Sequence, residues 1–332
     1  LIMNAKIIGI SNNIPTKPSM FEAIIKKKKI KQYYQDINNF SKINKIINNE
    51  KPDLIFHLAA QSLVKKSYTE TLETWKTNVI GTANILESLK KYKKKITLIL
   101  ITSDKSYINK EWIWGYRETD ELGGKDPYSG SKASAENVIF SYFNSFFKTK
   151  KTNIKIGIAR AGNVIGGGDW ATDRIVPDCI RKWSKNLKAE IYNPESTRPW
   201  QHVLEPISGY LQLAFILNTN KTLNGEAFNF GPHNNQNKTV KDLVIKMAKY
   251  WDNKSWNIKK QKTKIIESKL LSLNCEKANE YLNWEPTLSF DEMSKFTIEW
   301  YKAFYNNKNQ LIDITNNQIL FFMKKFKKIN EK

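Results

Sequence analysis

Tyr128 and Lys132 stand four residues apart in the stretch YSGSK, inside a segment of helical character. On a helix, residues at this spacing lie on one face, so that the phenol and the ammonium group can act together. An ammonium group favours a nearby phenolate, and we expect Lys132 to lower the pKa of Tyr128 toward neutrality. Such a pair can perform acid–base chemistry, although the spacing alone occurs by chance in many helices.

A second set of reactive side chains follows the apolar run Ile96 to Ile101 in the stretch Thr102-Ser103-Asp104-Lys105. The run is typical of a buried strand, and polar residues at the carboxyl end of a parallel strand point into the crevice where ligands bind. Ser, Asp and Lys also suit an ordinary turn after a strand. The position is therefore compatible with both a catalytic and a purely structural role.

Two more predicted strands end in small or polar residues. Ala59 and Ala60 follow the apolar run at 53–58, and small residues let a flat ligand approach the backbone. The run at 154–159 continues into RAGNVIGGGDW, which begins at Arg160. We therefore expect three strand ends to converge on one edge of a sheet.

The elements that position these residues alternate between strand and helix. Helical spacing at 41–49, 71–92 and 128–147 alternates with strand-like runs at 53–58, 96–102 and 154–159. This order predicts βαβ units and a parallel sheet. After about residue 165 the pattern is less regular and prolines interrupt it. We predict an α/β fold, with a doubly wound parallel-sheet (Rossmann-type) domain and a smaller, mixed C-terminal substrate-binding domain.

The predicted domain boundaries follow the same change of pattern. The first domain comprises residues 1–163 and about 197–232, and it would bind a cofactor. The second comprises about 164–196 and 233–305. A tail helix covers 306–332.

The composition excludes several classes of protein. Among 332 residues, 40% are hydrophobic and 12% aromatic, so a disordered chain is not expected. The formal charge of +22 comes from lysines spread over the whole length, so we predict neither nucleic-acid nor membrane binding. Cys179 and Cys275 form no CxxC pair, and no metal site is predicted. The two isolated cysteines and the absence of a signal-peptide pattern in the first ten residues predict a cytoplasmic location.

The chain resembles a known family through several stretches taken together. It resembles the extended short-chain dehydrogenase/reductases and, within them, the NAD-dependent sugar-nucleotide 4,6-dehydratases, most closely those that act on CDP-glucose. The resemblance runs from about residue 5 to about 305. The stretches that carry it are HLAAQ (57–61), NVIGT (78–82), TSDK (102–105), EWIWGYRE (111–118), YSGSK (128–132), RAGNVIGGGDW (160–170), RPWQHVLEP (198–206), FNFGP (228–232) and LLSLN (270–274).

This resemblance implies an internal redox reaction on a nucleotide sugar. Tyr128 would take the proton of the sugar 4-hydroxyl while NAD⁺ accepts the hydride, with Lys132 on the nicotinamide ribose and Ser103 on the 4-oxygen. Asp104 would then protonate the leaving 6-hydroxyl and Lys105 would remove the C5 proton. The product would be a 4-keto-6-deoxy sugar, a precursor for deoxysugar and lipopolysaccharide synthesis.

The resemblance also implies binding residues and a partner. The implied cofactor contacts lie in two strand-end regions and on the catalytic helix, and the implied substrate contacts are an amide and three arginines that suit a diphosphate. We expect a homodimer or higher homo-oligomer formed through the helices at 71–92 and 131–147, and we expect His57 and His202 to be structural. The implied cofactor residues are Asp36, Ile37, Ala59, Ala60, Asn78, Thr102, Tyr128 and Lys132, and the implied substrate residues are Asn163, Arg174, Arg198 and Arg117.

One expected segment has no counterpart in the sequence. Members of this family begin with a strand and a glycine-rich turn, TGxxGFxG, whose glycines let the backbone approach the cofactor pyrophosphate. Here Ala5 to Ser11 matches the family's second strand. Either the turn is encoded upstream of Leu1, or the protein lacks it and is inactive. In both cases we expect residues 1–332 alone to bind NAD⁺ weakly, and sub-micromolar binding by calorimetry would contradict this.

Two other functions remain open from the sequence. A nucleotide-sugar 4-epimerase of the same superfamily would need no acid–base pair to expel the 6-hydroxyl, so Asp104 and Lys105 distinguish it from a dehydratase. A basic, non-catalytic nucleic-acid binder would retard DNA in electrophoresis, with a salt dependence that reports phosphate contacts.

Overall fold

A four-stranded parallel sheet forms the centre of the computed structural model, which describes residues 5–27, 30–149, 152–233, 238–259 and 270–330. Its strand order is β10-β5-β4-β3, with β3 Leu54–His57, β4 Ile96–Ile101, β5 Ile154–Ala161 and β10 Ala227–Phe230. The short strands β1 Ile8–Ser11 and β2 Lys31–Tyr34 form a separate parallel pair. The remaining strands are β6 Val164–Ile165, β7 Ala189–Ile191, β8 Thr197–Arg198, β9 Gln201–His202, β11 Lys238–Thr239 and β12 Trp256–Ile258.

Helices cover both faces of the sheet, as a doubly wound fold requires. Helices α2, α5 and α6 pack with the apolar side chains of one face, and α8 packs on the other. The helices are α1 Met20–Ala23, α2 Phe40–Glu50, α3 Val64–Thr69, α4 Thr71–Trp75, α5 Gly81–Leu89, α6 Pro127–Tyr142, α7 Ile175–Trp183, α8 Leu204–Thr219, α9 Val240–Tyr250, α10 Glu276–Leu282, α11 Phe290–Asn306 and α12 Leu311–Asn330. The predicted α/β class is confirmed.

Local sequence explains where the two key elements of the sheet domain begin. Strand β4 is almost entirely aliphatic and buried on both faces, as expected for an inner parallel strand. Helix α6 begins at Pro127, which suits the first helical position, and Asp126 caps it by accepting a hydrogen bond from the Ser129 amide at 3.0 Å. The cap fixes the helix start one residue before Tyr128.

A second hydrophobic core lies in the C-terminal half. Helices α7, α9 and α11 enclose a cluster of tryptophans and aliphatic residues, among them Trp170, Trp183 and Trp300. Capping boxes at Thr239 and Ser289 fix the starts of α9 and α11. Helix α1 packs onto this second core rather than onto the sheet, although it precedes every strand of the central sheet. The exact division of the chain into two domains stays a prediction.

Some local features differ from the sequence-based expectation. The strand at Leu54–His57 is only partly buried, because it lies at the edge of the sheet among the described residues. The long helices predicted at 71–92 and 128–147 are present, but each contains a π-helical turn, at Lys76–Ile80 and Phe143–Phe147. Among the described helices, none has both the length and the apolar composition needed to cross a lipid bilayer.

Candidate active site

The predicted convergence of three strand ends is confirmed. Strands β3, β4 and β5 are adjacent and parallel in the sheet, so their carboxyl ends lie along one edge. Ala59 and Ala60 follow β3, the stretch Thr102 to Lys105 follows β4, and Gly162 and Asn163 follow β5. This edge is where a doubly wound sheet binds ligands.

The residues after β4 form a short 3₁₀ turn, Asp104–Ser106, which Ser103 caps. The Ser103 hydroxyl accepts a hydrogen bond from the Lys105 amide at 3.2 Å and donates to Oδ1 of Asp104 at 3.0 Å. Ser103 and Asp104 are buried and Lys105 is half-buried. The hydroxyl, the carboxyl and the amine thus lie together at the end of one strand.

Tyr128 and Lys132 lie one turn apart on α6, and both are buried. Nζ of Lys132 donates to the carbonyl oxygen of Ile101, the last residue of β4, at 3.3 Å. Burial lowers the pKa of Lys132 to about 8, and the Glu136 carboxylate opposes this fall. The ammonium group has three donors and the described contacts use one, so it has donors left for the hydroxyls of a ligand.

The prediction that Lys132 lowers the pKa of Tyr128 toward neutrality is wrong. Burial raises the pKa of the phenol to about 12, the neighbouring Ser103 hydroxyl and the Arg174 charge oppose this rise, and Asp104 adds to it. Lys132 is not among these influences. The physical reason is that burial removes water from the phenolate, and this loss exceeds the opposing effect of the nearby donors.

The carboxyl of Asp104 is suited to carry a proton. Burial raises its pKa, while Lys105, Ser103 and Arg198 oppose the rise. Among the described residues, its Oδ2 has no hydrogen-bond partner. Gly162 approaches this oxygen so closely that a Cβ there would collide with it, which explains a glycine at this position.

The four candidate substrate residues differ in their surroundings. Arg174 donates to Asp169 at 3.0 Å and to Ser62, which lies in the loop after β3, at 3.1 Å. Arg198 is buried, and its charge acts on Asp104. Asn163 is half-buried with a left-handed φ of 23°. Arg117 is exposed on the loop before α6, where its amide donates to Asp120.

Three of the candidate cofactor residues already make contacts within the protein. Asp36 is exposed and caps a turn by accepting from the Asn38 amide at 2.8 Å. The side chain of Ile37 packs in the core against Gly81. The amide of Asn78 bonds to the Gln61 backbone and to Ser131, so it ties the loop after β3 to α6. Their contacts with a cofactor stay predictions.

Both histidines expected to be structural are buried. His57 contacts the Thr82 hydroxyl at 3.1 Å, and burial together with the Lys132 charge lowers its pKa to about 3. His202 accepts from the Leu204 amide at 3.4 Å through Nδ1, and burial lowers its pKa to about 4. Both are neutral at physiological pH. Cys179 and Cys275 are free thiols, as predicted.

Sequence reasoning missed a buried ion pair behind the site. Arg160, at the end of β5, binds both carboxylate oxygens of Glu136 on α6 through Nε, at 2.8 and 3.0 Å. Glu136 also accepts from Thr102, and Arg160 donates to the Tyr107 hydroxyl. Two signals were available: Glu136 is one turn after Lys132, and a charged residue ending a buried strand requires a partner.

Comparisons with known proteins show which proteins the chain is similar to. The family model described as GDP-mannose 4,6 dehydratase matches residues 7–297. The chain is 42% identical over 314 residues to the CDP-glucose 4,6-dehydratase of Salmonella typhimurium strain LT2, covering 93% of this chain and 87% of that one. A UDP-glucose 4-epimerase of Mycoplasma pneumoniae is 22% identical, over 84% of this chain and 85% of its own.

Solved structures show the same fold. The dTDP-glucose 4,6-dehydratase of Bacillus anthracis in complex with NAD superposes with a TM-score of 0.74 at 21% identity, covering 94% of this chain and 92% of that one. The UDP-glucuronic acid 4-epimerase of Bacillus cereus, in complex with UDP-glucuronic acid and NAD, gives a TM-score of 0.78 at 22% identity, covering 92% and 94%.

Proposed function

The chain belongs to the GDP-mannose 4,6 dehydratase family, and from this premise we propose that it converts CDP-glucose to CDP-4-keto-6-deoxyglucose, with NAD⁺ as a recycled cofactor. Identity of 42% to a CDP-glucose 4,6-dehydratase over most of both chains supports the substrate. The observation that best supports this reaction is the buried Asp104, whose carboxyl oxygen Oδ2 has no hydrogen-bond partner among the described residues. Asp104 lies at the edge of the sheet against which Tyr128 and Lys132 of α6 are also buried.

The residues present fit the nicotinamide half of NAD⁺. Lys132 has donors left for the ribose hydroxyls, and Tyr128 and Thr102 lie beside it. Ala59 and Ala60 at the end of β3 give a flat ligand room, and Asp36 and Ile37 are the proposed adenine contacts. We assign no contact to the pyrophosphate, because no glycine-rich turn joins a strand to a helix at this edge within the described ranges. When bound, NAD⁺ accepts a hydride from C4 of the sugar and returns it to C6.

Tyr128 and Ser103 act on the 4-hydroxyl of the sugar. Tyr128 takes the hydroxyl proton as C4 becomes a ketone, and Ser103 donates a hydrogen bond to the same oxygen. Because its pKa is raised, Tyr128 is a protonated phenol, and substrate and cofactor must lower that pKa by stabilising the phenolate before Tyr128 accepts the proton. The positive charge of Lys132 favours that phenolate.

Asp104 and Lys105 act on C5 and C6. The new ketone acidifies the C5 hydrogen, which the side-chain amine of Lys105 removes. Asp104 donates a proton to the 6-hydroxyl, which leaves as water, and the raised pKa of Asp104 keeps that proton available. A proton then returns to C5, so the net reaction is the loss of one water.

Substrate contacts complete the proposal. Arg198, with Arg174 and Arg117 in support, binds the diphosphate, and Asn163 bonds the sugar or a phosphate. Among these, Arg198 is best placed because it is buried and its charge acts on Asp104. We assign a cytoplasmic location on the basis of the two free cysteines.

A homo-oligomer is part of the same proposal. The helical segments at 71–92 and 131–147 expose large apolar side chains, and such patches mark interfaces. A second copy of the chain would cover them. These side chains are Leu72, Trp75, Ile80, Phe140 and Phe146.

The experiment uses protein expressed from the complete reading frame. Turnover of CDP-, dTDP-, UDP- and GDP-glucose identifies the nucleotide, and we expect CDP-glucose to be the best substrate. Asp104→Asn should lower product formation by at least about 100-fold while C4 oxidation continues, because only the elimination needs the acid. The surface variant Asp313→Asn, at an exposed position on α12, should match the wild type.

Three outcomes would contradict the proposal. Normal dehydration by Asp104→Asn would remove Asp104 from the mechanism. Formation of a C4 epimer without loss of water would favour the epimerase, and no reaction with any of the four sugars would favour an inactive homologue.

A further inference from the structure

The segment Ser103 to Ser106 is too short to fix its own orientation. Its 3₁₀ turn has two backbone hydrogen bonds, from Ser106 to Ser103 at 3.1 Å and from Tyr107 to Asp104 at 3.4 Å. The second is long for a hydrogen bond of this kind. Contacts outside the turn must therefore hold it against α6.

Those contacts come from the residues on either side of the segment. Before it, the Thr102 hydroxyl donates to Glu136 at 2.7 Å. After it, the Tyr107 hydroxyl accepts from Nη1 of Arg160 at 2.6 Å. Glu136 and Arg160 form one buried ion pair, so the same pair of charges contacts the residues at both ends of the segment. The amide of Gly123 also donates to the carbonyl oxygen of Ser106 at 2.8 Å.

The Tyr107 side chain is fixed from several directions. Its hydroxyl donates to Oδ1 of Asn229 on β10 at 2.8 Å, and its ring stacks on Tyr116 with centroids 5.1 Å apart. The amide of Asn229 in turn donates to the carbonyl oxygens of Tyr116 and Asn274. Since these groups are buried, each hydrogen bond is strongly directional and costly to lose.

We propose that Tyr107 is a positioning residue, which through Arg160 and Asn229 fixes the Asp104–Lys105 turn in register with the Tyr128–Lys132 face of α6. Tyr107 is buried, with 2% of its surface exposed, and it acts on the site through these neighbours. The effect of Tyr107 falls on the elimination of water, because Asp104 and Lys105, which carry out that step, lie in the short segment between Ser103 and Tyr107. The catalytic consequence rests on the proposed function, whereas the structural consequence does not.

The chain offers a matched pair of variants. Tyr107→Phe removes a hydroxyl that joins Arg160 to Asn229, and Arg160 keeps its bonds to Glu136 and to the carbonyl oxygen of Glu118. Tyr116→Phe removes a hydroxyl from the stacked partner ring. Within the described ranges, that hydroxyl bonds to the loop alone, at Asn109 and at the amide of Lys110. Both rings are equally buried, so loss of packing is the same in the two variants.

The first measurement needs no ligand. Hydrogen exchange by mass spectrometry on the 332-residue chain follows the amides of Lys105, Ser106 and Tyr107. We expect Tyr107→Phe to speed their exchange by at least about tenfold, because both buried hydrogen bonds of the hydroxyl are lost, and Tyr116→Phe to leave them unchanged. Unchanged exchange, or faster exchange over the whole chain, would overturn the proposal.

The second measurement uses protein from the complete reading frame with CDP-glucose and NAD⁺. If Tyr107→Phe shifts the turn by about 1 Å, we expect kcat to fall by between about 10-fold and 100-fold and KM to change less than about twofold. Reduced nicotinamide, seen by its near-ultraviolet absorbance, accumulates because C4 oxidation outpaces elimination. An equal loss of both steps would refute the positioning role. If the wild type itself fails to turn over, the proposed function fails, and the exchange result still decides the structural claim.

Discussion

Replacing Lys132 with methionine tests whether the buried charge of Lys132 destabilises the folded protein. Methionine has a similar length but neither charge nor donors. Burial lowers the pKa of Lys132 from 10.5 to about 8, which corresponds to about 3 kcal/mol of folding free energy lost at pH 7. The variant also loses the hydrogen bond to Ile101, worth about 1 kcal/mol. We therefore expect Lys132→Met to raise the free energy of unfolding by about 2 kcal/mol at pH 7.

The pH dependence gives this prediction its sign. Between pH 8 and 10.5 the unfolded chain holds a proton on Lys132 that the folded chain has released, so wild-type stability rises with pH in this window. The advantage of the variant is full below pH 8 and is lost as the pH rises to 10.5. Urea unfolding at several pH values measures it, with exposed Lys45→Met on α2 as the control. A variant no more stable than wild type at pH 7, or an advantage independent of pH, would refute the reasoning.

Two further variants test the buried histidine and the proposed interface. Burial lowers the pKa of His57 from 6.5 to about 3. Between these two pH values the unfolded chain takes up a proton that the folded chain does not. The free energy of unfolding therefore falls by about 1.4 kcal/mol for each pH unit as the pH drops from 6.5 to 3. His57→Gln should remove this contribution, and urea unfolding between pH 4 and 7 would show an unchanged slope if the assignment is wrong. Phe140→Ser on α6 should shift the protein toward monomer in sedimentation, whereas Phe215→Ser, equally exposed on α8, should not. Equal behaviour of the two would place the interface elsewhere.

The sequence alone was enough to locate the edge of the sheet that carries the site. Apolar runs of strand length alternating with helical spacing predicted parallel strands, and polar residues at their ends predicted which edge binds ligands. Tyr128 and Lys132 were found because helical periodicity is local, and the Ser103–Lys105 stretch because it follows β4 directly. Both inferences needed only neighbours within a few residues.

What the sequence did not predict depends on distant pairs. Glu136 and Arg160 are 24 residues apart, and Tyr107 and Arg160 are 53 apart, so no local pattern joins them. The raised pKa of Tyr128 follows from burial, which the spacing to Lys132 does not reveal. Helix α1 packs onto the C-terminal core for the same reason, since tertiary contacts rather than its own residues decide its place.

The most direct test of the account follows one hydrogen atom through the reaction. CDP-glucose carrying deuterium at C4 is incubated with NAD⁺ and protein from the complete reading frame, and the product is analysed by NMR. If Tyr128, Lys132 and the Ser103–Lys105 turn act on a single hexose, the deuterium is recovered at C6 and a solvent hydrogen is found at C5. Deuterium that remains at C4, or that is lost to solvent, would contradict the account.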